Sequence, residues 1–271
     1  MALLRVPKPY DFELSTSRFR SWGVDLANLW DDGALWRAVD GREVRIAAAE
    51  GGVDVEPLDA RTGAVVRKLL GAEFDLDAFA AFAATEPVLA RVVPPLRGLR
   101  PPLAPDPFES LVTSITAQQV SLHAAFAIRA RLIESYGVRS GRVYAFPTAE
   151  RLALVTEQDL VSLGFSRRKA EYTLGLARAG LALAELAVLD DEAVKARLVE
   201  SRGIGEWTAD WFLARHLARP RAWPAGDLAL RKAVAHFYAG ADARAVGERL
   251  DPFQNLSAHY LLAGLYAGVG S

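Results

Sequence analysis

The stretch from Leu198 to Asp227, LVESRGIGEWTADWFLARHLARPRAWPAGD, constrains this chain most. It opens on the end of an amphipathic helix and turns tightly at Gly203-Ile204-Gly205. A second helix starts with Glu206-Trp207-Thr208-Ala209 in its first turn. Pro224-Ala225-Gly226 then delivers one acid, Asp227, at the start of a further helix. Two glycines around an apolar residue allow positive φ and close backbone approach. They also leave the N–H groups of a helix N-terminus facing outward, where an anion such as a phosphate binds. A tight helix–Gly-x-Gly–helix connection also occurs in proteins with no such role, so the residues around it carry the argument. Aspartate is among the best N-cap residues, and a cap alone explains Asp227. The same helix N-terminus keeps a carboxylate ionised, so capping and chemistry are compatible.

The 271 residues, 51% hydrophobic and 24% charged, suffice for a good core and two domains. No segment approaches the ~20 uninterrupted apolar residues of a membrane span. The first residues, MALLRVPKPYDFEL, place prolines and an acid where a secretory signal needs an apolar run. A cytoplasmic location is expected. Cysteine is absent, which excludes disulfides, thiolate zinc sites, cysteine-ligated iron–sulfur clusters and a cysteine nucleophile. The histidines (His123, His216, His236, His259) show no metal-binding spacing, and no metal or cofactor is expected. A net charge of −1 is unfavourable for a nucleic-acid partner, because non-specific affinity comes from neutralising phosphates. Only the distribution of charge can offset it.

Ala34–Val39 and Glu43–Ala47 flank Asp40-Gly41-Arg42, a hairpin signal, and Val53–Glu56 alternates with period two until Pro57. These segments predict a curved antiparallel sheet. From about Gly63 the pattern turns helical and stays so. After a proline-rich connector, Asp106-Pro107 caps one helix. Further helices are predicted over 108–117, 121–136, 157–163, 167–183, 191–200, 206–218, 228–238 and 257–267. The fold class is α+β, an antiparallel β domain over 1–70 followed by an all-helical domain over 71–271.

Gly203-Ile204-Gly205, Thr208-Ala209 and the Pro-Ala-Gly-Asp run together resemble the helix-hairpin-helix plus Gly-Pro-Asp signature of DNA base-excision glycosylases. Pro9-Tyr10-Asp11-Phe12 and Leu111–Ser121, LVTSITAQQVS, narrow the resemblance to the DNA-3-methyladenine glycosylase II (AlkA-like) branch. The resemblance implies a TBP-like β domain and a helix-hairpin-helix domain with an active-site cleft between its two lobes. It implies a monofunctional enzyme that hydrolyses the N-glycosidic bond of alkylated bases in duplex DNA. Asp227 matches the catalytic aspartate. Bifunctional relatives place a lysine where this chain has Trp207, and an amine is the nucleophile their strand-nicking route requires. Trp207 lines the base pocket in AlkA-like proteins; a core position is the alternative. Trp211 and Phe19 are further candidates to sandwich a flipped base, and a cationic purine between aromatic faces gains cation–π attraction.

Gln119 matches the wedge that fills the gap left by base flipping. Gly203, Ile204, Gly205 and Thr208 match the phosphate-binding hairpin, with Ile204 buried between its helices; carbonyls of such hairpins also hold a monovalent cation. Arg167, Arg168 and Lys169 at a helix start are either backbone contacts or a solvated face. The C-terminal part departs from the pattern, with Pro252-Phe253-Gln254 and with Leu262 where a pocket tryptophan is expected. This puts the lesion range in question. The alternatives are a same-fold glycosylase for a deaminated or oxidised base, and a catalytically silent DNA-binding protein. A monomer is expected.

Overall fold

The computed structural model describes residues 2–269. Strands β1 (Ala2–Arg5), β2 (Leu29–Asp31), β3 (Ala34–Val39), β4 (Arg42–Ala49) and β5 (Gly52–Glu56) form an antiparallel sheet in the order β1-β5-β4-β3-β2. The β3–β4 turn is the Asp-Gly pair, with both residues at positive φ (49° and 73°) and Val39 paired to Arg42. Two short helices, α1 (Phe12–Thr16) and α2 (Arg18–Ser21), lie between β1 and β2, and α3 (Ala60–Leu69) follows the sheet. Alternate residues of β3–β5 (Leu35, Val39, Val44, Ile46, Val53, Val55) meet Val66, Leu69 and Leu70 in one core.

Helices then run α4 (Leu76–Ala83), α5 (Leu89–Val92), α6 (Pro107–Ala117) and α7 (Leu122–Tyr136). They continue through α8 (Ala149–Ala153), α9 (Glu157–Ser162), α10 (Arg167–Arg178), α11 (Asp191–Val199), α12 (Glu206–Arg215), α13 (Leu228–Phe237), α14 (Ala243–Arg249) and α15 (Gln254–Tyr266). Most begin at an Asp, Ser or Thr whose side chain accepts from the first turn, worth ~1 kcal/mol each. Their core is drawn from residues 74–262. The second region is not wholly helical. Between α7 and α8, β6 (Val138–Ser140) and β7 (Val143–Ala145) make a hairpin that docks on the sheet region through Tyr144 N–H to the Leu26 carbonyl and Ser140 Oγ to the Gly41 carbonyl.

Charge joins the two cores. Arg37 on β3 donates to Glu109 on α6 at 2.6 Å and to Asn28 at 2.6 Å. Arg129 on α7 bridges Glu109 and Asp25. All four charged groups are buried. Arg100 is buried as well, donating to the carbonyls of Pro7, Gly71 and Phe74.

Candidate active site at the hairpin and Asp227

The connection from α11 to α12 is built on Gly203, whose φ is +88°. A Cβ there would lie 2.1 Å from the Tyr172 ring, so glycine is required twice over, by conformation and by packing. Ile204 is buried, and its N–H is spent on the Ser201 carbonyl. Gly205 caps α12 in extended conformation, exposed, with nothing within 4 Å of an added Cβ. Gly203→Ala is therefore expected to lower the thermal unfolding temperature, the left-handed backbone alone costing ~1–2 kcal/mol. Gly205→Ala should leave it nearly unchanged. Equal melting temperatures for the two variants would contradict this account of the turn.

Thr208 does not face outward. It is buried, and its hydroxyl accepts from Gln118 Nε2 at 3.2 Å because the first turn of α12 packs against α6. The same amide donates to the Gly203 carbonyl at 3.0 Å, tying the α6–α7 turn to the hairpin. Gln119, the wedge candidate, stands exposed beside it with φ +54°. Val120 and Leu122 flank it, also exposed. Lys169 departs from the phosphate reading as well. Its Nζ is drawn 2.8 Å from the Thr116 carbonyl at the end of α6, where it satisfies a helix C-terminus. Arg167 and Arg168 remain exposed.

Asp227 caps α13, its Oδ1 accepting from Leu230 N–H at 2.9 Å. Its Oδ2 accepts from two indoles, Trp207 Nε1 at 2.7 Å and Trp211 Nε1 at 3.0 Å. Spacing explains the pair, since residues four apart on α12 share a face. Three N–H donors thus hold one carboxylate in place. Trp207 is half-buried, whereas Trp211 is buried, with the Arg215 guanidinium 3.5 Å from its ring centre and His259 5.8 Å away. Trp211 therefore acts on the acid through its N–H and offers little free face for stacking.

Phe19 also lies elsewhere than expected, inside the sheet core. The aromatic that α2 presents across the molecule is Trp22, in edge contact with Tyr266 at 5.4 Å and His123 at 5.3 Å. One helical turn separates Phe19 from Trp22, and a helix of four residues gives no periodicity from which to choose the face. Leu262 is buried, and one turn further along α15 Tyr266 supplies an exposed aromatic. Burial and the nearby Asp227 charge push the Tyr266 phenol up. Lys195 pairs with Asp210 at 2.9 Å on another side of α12, and Lys232 is exposed on α13. Among the described residues no group of three or more His, Asp or Glu side chains could hold a metal ion, and no helix is long and apolar enough to cross a membrane.

Residues 112–252 match the family model described as HhH-GPD superfamily base excision DNA repair protein. A DNA-3-methyladenine glycosylase of Bacillus subtilis is 31% identical over 189 residues, covering 65% of this chain and 62% of that protein. A solved 3-methyladenine DNA glycosylase from Archaeoglobus fulgidus superposes with a TM-score of 0.85 at 25% identity, over 100% of this chain and 99% of that one. A Schizosaccharomyces pombe 3-methyladenine DNA glycosylase, solved in complex with abasic DNA, matches with a TM-score of 0.61 at 25% identity, over 69% and 95% of the two chains. The chain spans about half the length of the curated relatives it matches, from 41% to 62%. With more than half of its residues inside the family match, the chain belongs to the HhH-GPD superfamily of base excision DNA repair proteins.

Proposed function

We propose that this protein is a monofunctional DNA glycosylase that hydrolyses the N-glycosidic bond of 3-methyladenine-type alkylated bases in duplex DNA, the first step of base excision repair. One observation carries the reading. Asp227 is fixed by three N–H donors at a helix N-terminus, directly behind the half-buried Trp207 of the hairpin helix. A carboxylate so held is a well-placed anion. Its use is electrostatic. It stabilises the oxocarbenium-like sugar formed as the base departs, and water then adds to C1′. An N-alkylated purine is already cationic and leaves without a strong general acid. The half-buried Trp207 ring favours it by cation–π attraction, on the order of 1–2 kcal/mol when desolvated. The 3-methyladenine glycosylases among the relatives support this substrate class.

The active-site cleft between the two lobes is assigned in this reading to the face of Asp227. The exposed Gly205 turn and the Gln119 apex are the DNA-facing parts, meeting phosphate and base stack respectively. The hairpin carbonyls are assigned the monovalent cation.

Strand cleavage is not part of this chemistry. Trp207 has no nucleophilic amine, Lys169 is spent on a carbonyl and Lys195 on Asp210. Product strands should stay full length until heated with alkali, and borohydride should trap no enzyme–DNA adduct. An adduct trapped efficiently and lost on Lys232→Ala would overturn the monofunctional assignment.

A further inference from the structure

Glu171 on α10 stands beside three arginines. Its Oε1 accepts from Arg202 Nη1, and the two form an ion pair. Arg202 immediately precedes Gly203 of the hairpin turn. Its side chain is 78% exposed and that of Glu171 37%, so water reaches the pair and it holds weakly. Arg167 and Arg168 precede Glu171 on α10 by four and three positions, the spacing at which residues share a helix face. Both are exposed, and neither has an ion-pair partner among the described residues.

Packing fixes this group against the hairpin. Tyr172, next to Glu171, has its ring against Gly203, and Lys169 ties the first turn of α10 to the Thr116 carbonyl at the end of α6. The two DNA-facing parts of the proposed function, Gly205 and Gln119, continue from those same contacts along the chain. Helix stability does not account for Arg167 and Arg168, because cations at a helix N-terminus oppose the dipole. The other acids flanking the turn pair elsewhere, Glu200 with Arg197 at 2.9 Å and Glu206 with Arg244 at 3.7 Å.

A guanidinium accepts carboxylate and phosphate oxygens on the same planar fork of donors. We infer that Glu171 stands in for a DNA phosphate in the free protein: on binding, Arg202 releases the carboxylate and takes a phosphodiester beside the hairpin, with Arg167 and Arg168 turned to the adjoining backbone. The inference rests on the reading of the hairpin as the DNA-facing part of a glycosylase. The exchange concentrates positive charge at the interface in a chain whose net charge is −1. It also tempers the grip, since each encounter with DNA must first break the internal pair. A backbone contact carries no sequence information, so its effect is the same on damaged and undamaged duplex. The chemistry at Asp227 is untouched by it.

A double-mutant cycle read by duplex binding separates exchange from plain repulsion. Arg202→Gln should weaken binding to undamaged and lesion duplexes alike, about threefold or more. It should also flatten the slope of log affinity against log salt by about 0.9. Glu171→Gln should strengthen binding to both duplexes about two- to fivefold. Most of that gain should be lost once Arg202 is already replaced. Single-turnover base release at saturating enzyme, and the melting temperature, should stay near wild type in all three variants. An equal gain from Glu171→Gln in both backgrounds is long-range repulsion alone and overturns the exchange. Unchanged or weaker binding on Glu171→Gln overturns it too, as does an Arg202→Gln variant that binds like wild type. In each of these cases the glycosylase reading stands. A wild-type protein that binds no duplex overturns that reading, and the inference with it.

Discussion

Replacing Asp227 by asparagine is expected to lower single-turnover base release ~10²–10³-fold, the effect of removing one electrostatic group worth roughly 3–4 kcal/mol at a reacting centre. Binding to lesion DNA should stay within a few-fold. The geometry adds a second expectation. Aspartate accepts from the Leu230 amide on one oxygen and from both indoles on the other. An asparagine has one oxygen to offer, so its amino group must confront either the indole donors or the helix N-terminus. Either orientation costs about 1–3 kcal/mol of stability. The variant should therefore melt earlier as well as react more slowly, and rates must be compared below its transition. Folded Asp227→Asn protein releasing base at the wild-type rate would remove the acid from the mechanism.

The largest expected effect on stability lies at Glu109. Glu109→Gln removes the ion-pair partner of the buried Arg37 and leaves the buried Arg129 with Asp25 alone. Breaking a buried pair on one side typically costs ~3–5 kcal/mol, against a total of about 5–15 for a natural domain. Urea unfolding at pH 7 measures it directly, and a variant as stable as wild type would contradict the structural role given to the network. The pH dependence has a definite sign. Burial alone would raise Glu109 and Asp25, but Arg37 and Arg129 together outweigh it at Glu109, and Arg129 with the Asn28 and Ala27 hydrogen bonds and Arg37 outweighs it at Asp25. Both are therefore lowered in the folded protein, below the ordinary carboxylate range near ~4. Their contribution is fully present above that range and is lost as pH falls through the folded values. Glu109→Gln should flatten part of that acid slope.

Features set by short stretches of chain are legible in the sequence. The Asp40-Gly41 turn, the Asp106-Pro107 and Ser121 helix starts, the Gly203-Ile204-Gly205 hairpin and the Asp227 cap all depend on neighbours a few residues away. Features set by distant residues are not. Strand β1 is four residues long and finds its partner in β5 some fifty positions on. The Arg37–Glu109–Arg129–Asp25 network joins charges from four separate stretches, none with a local signature. Within the site, the sequence pointed to Trp207, Trp211 and Asp227 as candidates. It had no means to find that both indoles donate to one oxygen, nor that Arg215 covers the second ring. It singled out Gln119 but not Gln118, whose side chain does the tethering. The β6–β7 hairpin was readable in retrospect, since Val138–Ala145 alternates about a Ser-Gly turn. It was hidden by the helical pattern on both sides.

The most direct test of the central claim uses duplex DNA with a single alkylated purine, following the small-molecule product and the strand in the same reaction. The account predicts stoichiometric release of the free modified base and a strand that stays intact until alkali is added. No release, or release accompanied by cleavage before alkali, would contradict it.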